Sequence, residues 1–316
     1  MGTMAKYEWR ASNSAPKGSP MKLVVGGLLL TGGGELYIPS TVLHDGWGNS
    51  VSLHVVGDKL KALPERMTVT FYSYFEDKFY LGTFDLPRAR IEELFAAGYR
   101  TRREKSGMGR FDEIVAGVAP GGSVAVWLVG VGRQQEVFFG QAREVDLDWH
   151  DALRIPPSID RKDKIERAIA ESAGIDDLVL RRRQHLDLST WSRYRQKYAV
   201  RPAFEGFDVP VWMELQSFNG EQEDLFFPQD EVSLRERRAP PRYITFHMVS
   251  LHKRVELTFD EEETLSSFER LSAGGQPVEL VFRRQLENGT AMFGVYLRNA
   301  SETVEMNQIK MEFYDL

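Results

Sequence analysis

Residues 67–87, MTVTFYSYFEDKFYLGTFDLP, alternate apolar and polar side chains in two runs separated by an acidic pair. The alternation predicts two half-buried strands, Met67–Tyr74 and Lys78–Phe84, with Glu76 and Asp77 at the turn between them. Asp85 then stands where a helix starts, with Pro87 in its first turn. Ile91, Leu94 and Phe95 share one helical face, and Gly98 is placed to end it. Further alternation predicts strands at Glu113–Ala119, Ser123–Val129 and Val137–Val145, and the segment APGGS (119–123) reads as a hairpin turn. Phe71, Tyr72, Tyr74, Phe75, Phe79, Tyr80 and Phe84 are read mainly as sheet and core residues.

The same grammar returns later in the chain. Pro64 and Arg66 align with Pro240 and Arg242, Thr83-Phe84-Asp85 with Thr258-Phe259-Asp260, and Ala97-Gly98 with Ala273-Gly274. Downstream, Gly122 falls beside Gly289 and Gln141 beside Gln308. The spacing is too long for a solenoid repeat and indicates a duplicated domain. The second copy predicts a helix marked by Asp260, Leu265, Phe268 and Gly274, then strands Val278–Arg284, Met292–Leu297 and Thr303–Phe313. Between the copies, 158–174 places Ile165, Ala168 and Ile169 on one face behind Asp160, and 176–202 also reads as helical. The expected fold class is α+β: two related antiparallel-sheet modules, each with a packed helix, joined by a helical connector. Residues 1–18 read as a tag or flexible tether, 19–149 as the N-terminal module, 150–205 as the connector and 206–316 as the diverged second module.

Composition adds exclusions. A chain of 316 residues, 42% hydrophobic and 27% charged, is that of an ordinary globular protein of about two domains. A net charge of -6 argues against a nucleic-acid binder. There is no cysteine, which removes disulfides and thiolate chemistry. The glycine runs at 24–35 and 118–132 match neither a dinucleotide fingerprint nor a phosphate loop. His247 and His252, five apart on an expected hairpin, point to opposite faces, so no metal site is predicted. No nucleophile elbow is present, and carboxylate pairs such as Glu76/Asp77 and Asp176/Asp177 lack a predicted cleft. The reading is a non-enzyme without catalytic residues, cofactor or metal. The basic run Arg181, Arg182, Arg183, Arg193, Arg195, Lys197 and Arg201 reads as a solvated helix face paired with Asp163, Glu166, Asp176 or Asp177, in preference to a contact with lipid headgroups or an acidic partner. Trp191, Tyr194 and Tyr198, at helical spacing, read as anchors of the connector.

The segments WRASNSAPKGSPMKLVVGG, DGWGNS, LPERMTVTFYSYFEDKFYLGTFDLP, VAPGGSVAVWLVGVGRQQEV and WSRYRQKYAVRP together resemble a bacterial family of unknown function. Its members are typically periplasmic lipoproteins, and some are immunity proteins of type VI secretion phospholipase effectors, including the phospholipase D type. The likeness is read over nearly the whole chain. It implies a periplasmic protein, lipid-anchored in its native form, that binds a cognate secreted phospholipase and occludes its active site or lid. The lipobox cysteine of the family is missing here. Partner contacts are expected at Trp47 in the HDGWGNS loop, at the hairpin tip with Tyr74, Glu76 and Asp77, and at Asp224, Phe226 and Phe227 within 218–231. The alternative is a periplasmic structural or envelope-binding lipoprotein with no toxin partner.

Overall fold

The computed structural model describes residues 5–43, 45–51, 57–173, 187–227, 237–288 and 290–316. The chain divides into two compact units, Met1–Trp191 and Ser192–Leu316.

In the first unit the strands are β1 (Arg10–Ser14), β2 (Met21–Leu30), β3 (Glu35–Tyr37), β4 (Pro64–Ser73), β5 (Lys78–Asp85), β6 (Glu113–Ala119), β7 (Ser123–Gly130), β8 (Arg133–Gln141) and β9 (Arg143–Val145). Helix α1 (Arg88–Ala97) separates β5 from β6, and α2 (Trp149–Leu153) and α3 (Arg161–Ala173) follow β9. One sheet runs β9-β5-β4-β2-β3, all antiparallel. The other runs β1-β6-β7-β8, with β1 parallel to β6. Met67, Val69 and Phe71 of β4 face Ile114, Ala116 and Val118 of β6 and Val124, Val126 and Leu128 of β7 across one core, which Ile91 and Phe95 of α1 complete.

The second unit contains β10 (Tyr198–Glu205), β11 (Trp212–Ser217), β12 (Gln222–Phe226), β13 (Pro241–Met248), β14 (Lys253–Thr258), α4 (Glu261–Leu271), β15 (Val278–Glu287), β16 (Thr290–Arg298), β17 (Thr303–Glu305) and β18 (Lys310–Asp315). Its sheets run β18-β14-β13-β11-β12 and β10-β15-β16-β17, with β10 parallel to β15. Strand for strand, this repeats the order of the first unit. The packing repeats as well. Tyr7 packs on Phe95 of α1 with ring centroids 5.4 Å apart, and Tyr198 on Phe268 of α4 at 5.5 Å, both tilted. Tyr7 pairs with buried Lys61, and Tyr198 pairs with buried Arg238. Arg10 of β1 sits opposite Glu113 of β6 and binds it at 2.7 Å, as Arg201 of β10 sits opposite and binds Glu279 of β15.

The α+β expectation is therefore corrected: the fold is mostly β, with several sheets and five short helices among the described residues. Each unit stacks two sheets, and each contains a parallel pair that the antiparallel reading lacked. The reason lies in the first strand of each unit. The stretch read as a tether contains β1, whose Ser12, Asn13 and Ser14 are fully buried because their side chains are hydrogen-bonded to Ser50, Pro39 and Gly46. The stretch read as connector helix ends in β10, where Pro202 is accommodated in an extended strand. Among the described residues the stretch 150–205 holds α2, α3 and a single helical turn at Thr190–Arg193 before β10, so the continuous connector helix expected there is not found in them. α2 and α3 belong to the first unit and lay Trp149, Leu153, Ala168 and Ile169 over Tyr72, Tyr74 and Phe79 on the outer face of its antiparallel sheet. Arg181, Arg182, Arg183, Asp176 and Asp177 lie outside the described residues. Of the other basic side chains of the run, three pair within the second unit: Arg193 with Glu262 and Glu269, Lys197 with Glu221, and Arg201 with Glu279.

Candidate functional site

The loop Asp45–Ser50 is fastened at both ends by side-chain hydrogen bonds to its backbone. Ser14 Oγ donates to the Gly46 carbonyl at 2.9 Å, and Gln134 Nε2 to the Gly48 carbonyl at 2.8 Å. Gly46 and Gly48 adopt positive φ, so the chain reverses twice around Trp47. The Trp47 side chain is only 4% exposed. It meets Trp127 edge-on at 4.9 Å and Trp191 at 5.5 Å. Gly117 makes room for this nest, since a Cβ there would stand 2.4 Å from the Trp127 ring. Trp47 thus anchors the loop from inside, and Asp45, Asn49 and Ser50 are the residues left at the surface.

The tip between β4 and β5 is built the same way. Tyr74 is 2% exposed and packs edge-on against Tyr72 at 5.1 Å, and burial pushes its phenol up to about 12. The Glu76 carboxylate accepts the Tyr80 hydroxyl at 2.7 Å and the Gly121 amide at 2.9 Å. Asp77 takes the left-handed turn conformation, φ 55°. It accepts the Tyr72 hydroxyl and the Arg161 guanidinium, the latter at 2.6 and 2.9 Å. Burial, then the bond to Asp77, raises the Tyr72 phenol well above its usual range. Arg161 also lies over the Trp149 ring at 5.8 Å, so one guanidinium ties α3 to the hairpin.

The loop and the hairpin tip are linked through the chain that precedes Trp191. Leu188 lies against Gly121, whose amide donates to Glu76, and Trp191 packs on Trp47. Sequence reasoning missed the supporting residues Gly117, Gly121, Trp127, Arg161 and Leu188. Only Gly121, within APGGS, carried a local signal.

The remaining expected contacts lie in the second unit. Asp224 is 7% exposed and stands across from Glu214 on the neighbouring strand. Phe226, opposite Trp212, and Phe227, which packs on Phe204 at 5.4 Å, are half-buried. Residues 228–231 of that stretch lie outside the described residues. Among the described residues no group of three or more His, Cys, Asp or Glu side chains is placed to hold a metal ion, and no helix is long and apolar enough to cross a membrane. In both units a surface cavity opens at the entry to the parallel pair. It measures about 430 Å³ beside Tyr7 and Asp112, and about 580 Å³ beside Arg201 and Arg298.

Fold and site together define a duplicated β protein whose candidate surface is a set of internally braced loops. A family model described as "Protein of unknown function (DUF2931)" matches residues 2–175, and the chain belongs to that family. The match covers most of the first unit and stops short of the second, less than the nearly whole-chain likeness read from the sequence. No curated protein and no solved structure matches the chain.

Proposed function

We propose that this chain is an immunity-type binding protein that seats on a secreted type VI phospholipase effector in the periplasm and occludes its active site or lid. The observation that carries the reading is the bracing of the Asp45–Ser50 loop and the Tyr74–Asp77 tip, each held by buried aromatics and hydrogen bonds to its own backbone or side chains. A loop already fixed in one shape loses little conformational entropy on binding, which favours tight, slowly dissociating complexes. Protection against an enzyme requires such affinity, on the order of nanomolar or about -12 kcal/mol. An interface of roughly 1,600 Å² is the usual size for it.

The test is a pull-down of the purified chain with the phospholipase effector encoded beside it. A stable complex is expected, weakened at least about tenfold by Asp45→Arg, which places an opposite charge on the exposed loop and leaves Trp47 in place. The absence of a complex at micromolar concentration would remove the proposal.

A further inference from the structure

The two units follow one plan, and they differ sharply where the helix returns to the sheet. In the second unit α4 reaches β15 through residues 272–277. In the first, α1 reaches β6 through residues 98–112, which fold into an added hairpin with Arg100 opposite Met108 and Tyr99 opposite Gly109. The second copy shows that the fold closes without this insertion, which points to a role for it beyond closing the fold. Its content is strongly basic. Residues 99–110 carry Arg100, Arg102, Arg103, Lys105 and Arg110 against the single acid Glu104, in a protein of net charge -6.

The hairpin is ordered rather than loose. Gly98 ends α1 at φ 65° and approaches Gly109 so closely that a Cβ would stand 2.6 Å from the Gly109 carbonyl oxygen. Tyr99 packs on Phe111 at 4.9 Å, and its hydroxyl donates to the Val131 carbonyl at 3.3 Å. The turn is closed by the Thr101 amide to the Gly107 carbonyl at 3.1 Å and by Ser106 Oγ to the Met108 carbonyl at 2.9 Å. Residues 102–108 are all exposed on this base, and two apolar side chains accompany the cations: Met108, 49% exposed, and Val131, 48% exposed.

We infer that the hairpin 99–110 docks the protein on an anionic lipid surface. Dispersed cations beside shallow apolar side chains suit a lipid interface, where headgroup phosphates meet the cations and Met108 and Val131 enter the boundary without needing a matched contour. A protein partner would be expected to engage a buried aromatic or Arg anchor at the centre of the patch. The inference does not depend on the phospholipase partner, because it concerns a different element and a different ligand.

The experiment is co-sedimentation of the full chain with phosphatidylglycerol–phosphatidylcholine vesicles and with phosphatidylcholine vesicles alone. Binding to the anionic vesicles only is expected, and its loss near 1 M salt, where the screening length falls to about 3 Å. The triple variant Arg102→Gln, Arg103→Gln, Lys105→Gln should bind about a hundredfold more weakly, since each cation near such a surface contributes about fivefold. Met108→Asp should weaken binding independently. Both variants should keep the parent's thermal midpoint, as all four side chains are exposed. Equal binding to neutral vesicles, or undiminished binding by the triple variant, would overturn the inference. Retention on polyaspartate without vesicle binding would also overturn it and assign the hairpin to an acidic protein.

Discussion

Individual side chains show how far the two copies have diverged inside one plan. Asp260 caps α4, accepting the Glu263 amide at 3.0 Å. Its aligned residue Asp85 was expected to do the same for α1, yet it ends β5 and pairs with Arg66 at 2.8 Å, and Pro87 takes the cap position without a side-chain bond. Asp260→Ala should therefore cost about 1 kcal/mol in chemical denaturation, while Asp85→Ala should leave the midpoint unchanged. A midpoint shift for Asp85→Ala as large as that for Asp260→Ala would contradict these assignments. Gly117→Ala drives a methyl into the Trp127 ring and should cost about 1–3 kcal/mol, with a change in tryptophan fluorescence reporting the displaced nest. The aromatic content of 67–87 was legible as core. The burial of Trp47 was not, because a tryptophan in a Gly-rich loop reads equally as anchor or as contact, and the deciding residues, Gly117, Trp127 and Trp191, are remote in sequence.

At the scale of elements, the strands with clean alternation were legible to within a few residues, as at Glu113–Ala119 and Ser123–Gly130. Those hidden in polar or Pro-containing sequence, β1 and β10, were not, and with them went the second sheet of each unit and the fold class. These same two strands carry the paired Arg–Glu register. In the second unit it extends into a ladder across three strands: Arg201, Glu279, Arg298, Glu205 and Arg283. Hydrogen bonds from Arg283 and Arg298 hold the Glu205 carboxyl below its usual range. For Glu279 burial pushes upward, but the bonds from Arg201 and Arg298 outweigh it and the net direction is again downward. A carboxylate with a depressed folded value adds stability above its unfolded value, about 4.3, and that stability fades as pH falls through the folded value. Urea midpoints should accordingly drop below about pH 4.3, and Glu279→Gln should flatten that drop; an unchanged acid limb would show that the ladder contributes nothing to it.

On the scale of the whole molecule, a duplicated two-sheet unit has been elaborated unevenly. The first copy carries α2 and α3 over one sheet face, with Arg161 clamped to Asp77, and a basic hairpin after α1. The second copy lacks that hairpin, its helix passing to β15 through residues 272–277. The repeat could be seen in the sequence because the β4–β5–helix segment kept Pro64 and Arg66 as Pro240 and Arg242, Thr83-Phe84-Asp85 as Thr258-Phe259-Asp260, and Ala97-Gly98 as Ala273-Gly274. The function class could not, because the side chains that suggested contacts, Trp47, Tyr74, Glu76 and Asp77, also build the scaffold. We propose above that the braced loops of the first unit block a phospholipase by binding it. Titration of the chain into the purified effector during continuous phospholipid hydrolysis tests this most directly. Linear loss of activity to an end point at one chain per enzyme is expected, with a dissociation constant on the order of nanomolar. Hydrolysis that continues undiminished at a micromolar excess of the chain would contradict it.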